Sequence, residues 1–256
     1  VMFYRFRGHL RHAEQLDGMF RGSLFLLGGA KELQKCVYML RDSRVVTLAM
    51  NNAGTVVRPH LWIGADGAEY YSASILHDPA IMKFMRIIRM DTVTQRGIPV
   101  RECPNMHFYK EDPEMIYNGV FVPRETMIFW KNVFVVALQL AWRLGFSRVY
   151  CVGCGFKAAD GYAFKSRHVD EYEKYNQNTY DAVLRQLQHL LPHAKAAGLD
   201  VVSCTPDSRL GELDVRYEPI RSAIDAAAAE VPSVDTENVK HPKDELGDNE
   251  KAKAGA

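Results

Sequence analysis

Four short stretches of this chain carry residues suited to binding or activating an anionic substrate. In "WIGADGAEYY" the carboxylates Asp66 and Glu69 sit at a strand end. Such a pair serves as general base, ribose contact or metal ligand; the ordinary structural use is an Asx-type turn. In "FKAADGYAFKSRH" Lys157, Tyr162, Lys165, Arg167 and His168 lie on one loop. Donors held over a crevice neutralise phosphate and help a nucleoside mono- or diphosphate leave; otherwise this is a solvated basic loop. His168 is a candidate base because histidine is the side chain suited to proton transfer near neutral pH, although a lone histidine is often structural. "SLFLLGGAKELQKC" turns at Gly28-Gly29 where a helix follows at once, and "AMNNAG" places Asn51 and Asn52 after another apolar run. Glycine lets a ligand approach the backbone, and the amides supply neutral donors and acceptors for a base, ribose or sugar hydroxyl. A tight turn alone would also explain the glycines.

The elements that must position these groups alternate. Leu24–Leu27, Val45–Ala49 and Leu61–Gly64 read as short buried strands, with a helix over Lys31–Arg41 burying Leu33, Cys36, Val37 and Leu40. The stretch from Asp78 to Pro123 is interrupted by Pro and Gly; "IMKFMRIIRM" and "MHFYK" are candidate strands, and otherwise we expect short irregular elements and a substrate-facing insert there. Phe129–Leu144 is apolar nearly all round, predicting a helix buried between layers that stops at Gly145. Arg148–Val152 is a strand running into Gly153 and Gly155. Asn178–Leu191 is an amphipathic helix that Pro192 should break or kink, and Leu199–Ser203 is the last strand.

This alternation predicts an α/β fold: a Rossmann-like, mostly parallel sheet with helices on both faces, in one domain over 23–229. Residues 1–22 read as a basic, aromatic N-terminal extension and 230–256 as a disordered tail. In such sheets the ligand crevice lies beyond the carboxyl ends of the strands, where strand order reverses. Three strand ends carry suggestive residues there: Gly28-Gly29, Asn51-Asn52 and Gly153. Neither the dinucleotide pattern G-x-G-x-x-G nor the Walker pattern is present.

Composition narrows the function classes. The chain has 256 residues, 47% hydrophobic and 25% charged, with a formal net charge of +1. That charge gives no overall attraction to nucleic acid or membrane. Five scattered cysteines do not form a disulfide framework, which suggests a reducing, cytoplasmic setting. "CVGC", Cys151 to Cys154, lacks the second ligand pair of a zinc site and reads as small residues at a strand end. No apolar run reaches the ~20 residues of a membrane helix, and the N-terminus has no secretory pattern.

From Asn132 to about Leu213 the chain resembles the bacterial lipooligosaccharide sialyltransferase family. The motifs "ALQLAWRLGFSRVYCVGCGF", "GYAF", "YNQNTY" and "VSCTPDSRL" follow the order of that family's buried helix, strand, loop, helix start and last strand. More loosely, "GGAKEL" and "AMNN" fall on its glycine turn and its asparagine. The same outline is similar to archaeal pterin pyrophosphokinase-like proteins and to bacteriophage proteins often labelled glycosyltransferases. The resemblance implies a Rossmann-like glycosyltransferase with a nucleotide-sugar donor as substrate, no cofactor and no metal. It implies that Gly28, Gly29 and Asn51 contact the nucleotide, that Tyr162 holds the departing phosphate, and that Asn178 and Thr179 open a helix at the site.

The chain departs from the family at four places. The family's general-base histidine falls on Tyr175, its first phosphate-binding tyrosine on Lys157, its G-x-D-F carboxylate on Gly155, and its turn Pro-Ser on Lys31-Glu32. A tyrosine with a pKa of roughly 10 is a weak base at neutral pH, which turns attention to Asp66 and His168. The expectation is therefore glycosyl transfer to a hydroxyl on a glycan, a small molecule or a modified nucleobase in DNA. Asp66 and His168 are the catalytic candidates. Gly28, Gly29, Asn51, Asn52, Gly153, Asn178 and Thr179 would bind the donor, and Lys157, Tyr162 and Lys165 the leaving phosphate. A homo-oligomer is compatible with the sequence, as is host cytoplasm if the chain is phage-encoded. Two alternatives stay open: magnesium-dependent pyrophosphoryl transfer through Asp66 and Glu69, and a non-catalytic nucleotide-binding or virion-associated module.

Overall fold

Leu24, Phe25, Leu26 and Leu27 are all fully buried, so the strand they form, β3 (Ser23–Leu27), is covered on both faces. A continuous apolar run is what a central parallel strand requires. The computed structural model describes residues 2–6, 9–42, 44–112, 120–128, 132–164 and 172–230. Within them β3 is joined by β1 (Met2–Phe6), β2 (His9–His12), β4 (Val46–Met50), β5 (Leu61–Gly64), β6 (Met82–Arg86), β7 (Met106–Asp112), β8 (Thr126–Ile128), β9 (Arg148–Val152) and β10 (Asp200–Ser203). The sheet order is β10-β9-β3-β4-β5-β6-β7-β1-β2, with β8 beside the far end of β7. From β10 to β7 all neighbours are parallel. The chain therefore winds outward from β3 through β4, β5, β6 and β7, crosses back, and adds β9 and β10 on the other side of β3. Strand order reverses between β3 and β9.

Alternation along the strands splits the interior into two cores. Leu24 and Leu26 join Leu48, Ile63, Phe84 and Cys151 on one face. Phe25 and Leu27 join Ala49, Trp62, Met85 and Tyr150 on the other. The first core is closed by α3 (Val133–Leu144) and α4 (Tyr172–Ala196) through Val135, Leu138, Leu187 and Leu190. The second is closed by α1 (Leu33–Cys36), α2 (Ala73–Leu76) and α5 (Ile220–Glu230) through Leu33, Ile75, Ala223 and Ile224. The fold is the expected single α/β domain with helices on both faces.

α3 is buried nearly all round and stops where expected, at Gly145, which is left-handed with φ 99°. Its buried Gln139 does a strand's work for β8. Its amide accepts from Ile128 N at 2.9 Å and donates to Ile128 O at 2.7 Å, leaving neither backbone group orphaned.

Several expectations need correction. The N-terminal stretch set apart as an extension supplies two strands: Met2–Phe6 pairs antiparallel with β7, and His9–His12 with β1. The helix expected over Lys31–Arg41 breaks into α1 and a 3-10 turn at Met39–Arg41. Of its apolar stripe Leu33 and Leu40 are buried, while Cys36 and Val37 are half-buried, so little packing holds the middle turn. Pro192 does not end α4, which runs on to Ala196. Leu190 and Ala194, fully buried on either side of it, keep the helix seated across the lost hydrogen bond. In the middle of the chain the two candidate strands in "IMKFMRIIRM" and "MHFYK" are β6 and β7 of the main sheet, so this stretch is less of a separate irregular insert than expected. Of the tail expected over 230–256, Glu230 is the last residue of α5 (Ile220–Glu230), and 231 onward lies outside the described residues.

Candidate active site

At the carboxyl ends of β3, β4, β5 and β9 lies a cleft of about 330 Å³. It sits at the reversal of strand order, the usual ligand position in open α/β sheets, and its size falls in the small-ligand range. Its floor is the glycine corner. Gly28 N donates to Val152 O at 2.8 Å and Ala30 N to Gly153 O at 2.9 Å, so the ends of β3 and β9 stay paired past the strands themselves. A side chain on Gly28 would collide with Gly153 O and the Cys154 thiol. Gly153 has φ +67°, and a Cβ there would stand 2.8 Å from Gly28 O. The glycines are thus required by the close approach of the two strand ends. Gly29 serves the loop above, because its α-carbon lies under the rings of Phe164 and Tyr162.

That loop is pinned to the corner by its backbone. Ala163 N donates to Gly29 O at 2.9 Å, and Gln34 Nε2 donates to Ala163 O at 2.7 Å. Tyr162 is thereby held over the cleft, stacked on Phe164 at 5.3 Å. Its hydroxyl accepts from Asn176 Nδ2 at 2.8 Å and shares a hydrogen bond with the Tyr180 hydroxyl at 3.3 Å. Burial, with the neighbouring Tyr162, holds the Tyr180 phenol well above its ordinary pKa, so it stays protonated. When Tyr180 donates to Tyr162, both lone pairs of Tyr162 are occupied and its own proton is available to the cleft.

A second wall is aromatic. Phe156 packs edge-on against Phe134 at 5.1 Å and Tyr180 at 5.8 Å. Its φ of +56° is unusual for a bulky residue and is held by those two rings. Phe134 is in the first turn of α3, whose amino end lines the cleft. Asn132 caps that end, its Oδ1 accepting from Phe134 N at 2.7 Å. The opening turns of α4 add Asn176, Thr179 and Tyr180 to the lining. Helix amino ends carry partial positive charge and suit an anion.

Of the residues singled out in the sequence, Gly28, Gly29, Asn51, Asp66, Gly153, Lys157, Tyr162 and Thr179 line this one cleft. Asp66 is exposed at the rim and is the single carboxylate among the described lining residues, which include no histidine. Asn52 and Asn178 stand outside the lining: Asn52 Nδ2 donates to Tyr70 O at 3.0 Å, and Asn178 is exposed. Glu69 also stands outside, its carboxylate folded against its own Gly67. Lys165 and His168 lie outside the described residues.

Cys151 and Cys154 are buried, and the hydrogen bond to Cys154 together with burial holds the Cys151 thiol well above its ordinary pKa. Among the described residues no three of His, Cys, Asp and Glu are grouped to hold a metal ion, and no helix is long and apolar enough to cross a membrane.

Sequence reasoning missed Asn132, Asn176, Tyr180 and the aromatic wall. Asn132, before an apolar run, carried a readable N-cap signal. Asn176 and Tyr180 lie within the motif "YNQNTY" but carried no further signal, because the helix was expected to open at Asn178 and Thr179, whereas α4 begins earlier, at Tyr172.

No protein-family model matches the chain, and no curated protein does. Among solved structures the fold is similar to the sialyltransferase CstII from Campylobacter jejuni, solved in complex with the substrate analogue cytidine-5'-monophosphate. That likeness has a TM-score of 0.41 at 10% identity and covers 77% of this chain and 85% of the other.

Proposed function

We propose that this chain is a glycosyltransferase that moves a sugar from a nucleotide-sugar donor to a hydroxyl acceptor. The observation that carries the reading is the meeting, at the β3–β9 reversal, of the glycine corner with the hydrogen-bonded cluster Tyr162–Asn176–Tyr180.

In this reading the nucleotide lies along the corner between Gly28-Gly29 and Asn51, and its phosphate faces Tyr162, Lys157 and the amino end of α3. The acceptor oxygen attacks the anomeric carbon. The bond from that carbon to the phosphate oxygen breaks, and the negative charge that grows on the phosphate is met by the Lys157 ammonium and the Tyr162 hydroxyl proton. Such charge-assisted donors act on the transition state more than on the neutral sugar. Asp66, across the cleft at the end of β5, takes the proton from the acceptor hydroxyl. Phe134, Phe156 and Phe164 keep water from the reacting bond and strengthen each electrostatic contact.

Thermal unfolding with a panel of nucleotides and nucleotide sugars, with and without magnesium, tests the reading. A ligand at about 100 times its Kd adds roughly 2.7 kcal/mol, a clear rise in Tm. Stabilisation by one nucleotide sugar, unaltered by chelator, is the expected result. No shift with any member of the panel would refute the reading, and a shift that needs magnesium would move it to pyrophosphoryl transfer.

A further inference from the structure

Tyr71 is 1% exposed, and its hydroxyl meets three partners. The backbone N–H groups of Ala65 and Asp66 donate to it at 3.0 and 2.7 Å, and it donates to Asn51 Oδ1 at 3.1 Å. A phenol oxygen has one proton and two lone pairs. Backbone N–H groups can only donate, so Ala65 and Asp66 occupy both lone pairs. The single proton must then go to Asn51. The Asn51 atom facing Tyr71 is therefore the carbonyl oxygen, and its NH2 group is turned the other way. Burial holds the Tyr71 phenol far above its ordinary pKa, so this proton is not lost at any physiological pH.

The asparagine has little freedom to escape this arrangement. Its backbone is left-handed with φ +50°, and its main-chain carbonyl oxygen accepts from Trp62 Nε1 at 2.7 Å. Asn51 lines the cleft, and among the described residues no hydrogen bond uses its Nδ2. An unheld amide can present either its oxygen or its nitrogen to a ligand; a held one presents only one of them.

We propose that Tyr71 is a specificity-setting positioning residue: it locks the Asn51 amide so that this corner of the cleft offers N–H donors and selects a ligand edge bearing an acceptor, a carbonyl oxygen or an unprotonated ring nitrogen. The proposal rests on reading the cleft as a nucleotide site. It gives the deeply buried tyrosine, which touches no ligand itself, a role in choosing among nucleobases. The same hydroxyl holds the backbone of Asp66, so one group sets the ends of both β4 and β5.

Calorimetric affinities for two pairs of nucleoside monophosphates decide it. Cytidine and uridine monophosphate exchange donor and acceptor on the pyrimidine edge; adenosine and inosine monophosphate do so on the purine edge. The wild-type protein should favour one member of a pair by at least about tenfold, the cost of facing a donor with a donor. Tyr71→Phe should still bind but bring the preference close to unity. Asn51→Asp keeps an acceptor for Tyr71 and turns a second acceptor to the cleft, so it should reverse the preference, and it decides the matter if Tyr71→Phe does not fold. A preference unchanged in both variants, with only Tm lowered, overturns the proposal and leaves the nucleotide reading standing. Equal wild-type affinities overturn it as well. Failure of all four monophosphates to bind overturns the nucleotide reading and the proposal together.

Discussion

Gly28 and Gly153 face each other across the junction of β3 and β9, and a side chain on either would meet the other's backbone carbonyl. The double-glycine turn is thus first a condition for two strands to meet, and the cleft floor is a product of that meeting. Gly28→Ala should destabilise the protein by about 1–3 kcal/mol, the usual cost of overpacking a rigid backbone contact. Gly153→Ala adds a left-handed strain to a similar clash. Urea denaturation of both variants checks this; a Gly28→Ala protein as stable as wild type would show that the strand ends can part freely.

Lys157 and Tyr162 are the described donors proposed to meet the leaving phosphate. Lys157→Ala and Tyr162→Phe should each lower turnover roughly 10- to 100-fold, the worth of a hydrogen bond to a charged group. Lys157→Ala should hardly move Tm, whereas Tyr162→Phe also strips Asn176 and Tyr180 of a hydrogen-bond partner and should lower Tm by the equivalent of about 1 kcal/mol. Initial rates with the donor identified by thermal shift, set beside melting curves, are the measurement. Undiminished turnover in both would remove these residues from the leaving-group role.

Asp66→Asn should reduce turnover roughly 100- to 10,000-fold, the range for loss of a general base. Nucleotide affinity should stay as it was, because the amide preserves shape and Tyr71 still holds the backbone N–H of residue 66. A variant that binds poorly but turns over normally at saturation would make Asp66 a binding residue instead.

Acid should weaken the fold below neutrality. His60, His77 and His107 are all held below the ordinary histidine pKa, in each case chiefly by burial. Each resists protonation when folded and accepts it when unfolded. The stability they contribute is full above the unfolded value of about 6.5 and is lost as pH falls from there through the lower folded values. Denaturation midpoints should stay level from pH 8 down to about 6.5 and fall from there toward pH 5, and His107→Phe, which keeps a ring against Phe84, should flatten that fall.

The parts of this fold legible in the sequence are those decided by local pattern. "SLFLL", "LWIG" and "RVYCV" are short apolar runs bounded by turn residues, and each became a parallel strand at the expected place. Because ligand crevices follow from strand ends, Gly28, Gly29, Asn51, Asp66 and Gly153, chosen there, met in one cleft, joined by Lys157, Tyr162 and Thr179 from the loop and helix after β9. What was hidden depends on partners distant in sequence. The strand Met2–Phe6 exists because β7 offers it an edge, and nothing in "MFYRF" names that edge. Pro192 is carried by a core its own helix cannot reveal. Tyr71 looked like one aromatic among several in "WIGADGAEYY"; its hydroxyl gains meaning from Asn51, which belongs to another strand end.

The pairing of Leu24 with Val149 joins the first strand of the central sheet to one that arrives after a long crossover. Closing so large a loop carries an entropic cost, and non-local pairings of this kind slow folding. Each wall of the cleft comes from a different side of that seam: Gly28 and Asn51 from the ends of the early strands, Gly153 and Tyr162 from the end of β9 and the loop after it. No fragment that stops before β9 contains the site. Ligand binding would therefore report on the whole assembled sheet, and a bound nucleotide would act as a clasp across the join between the two halves of the chain.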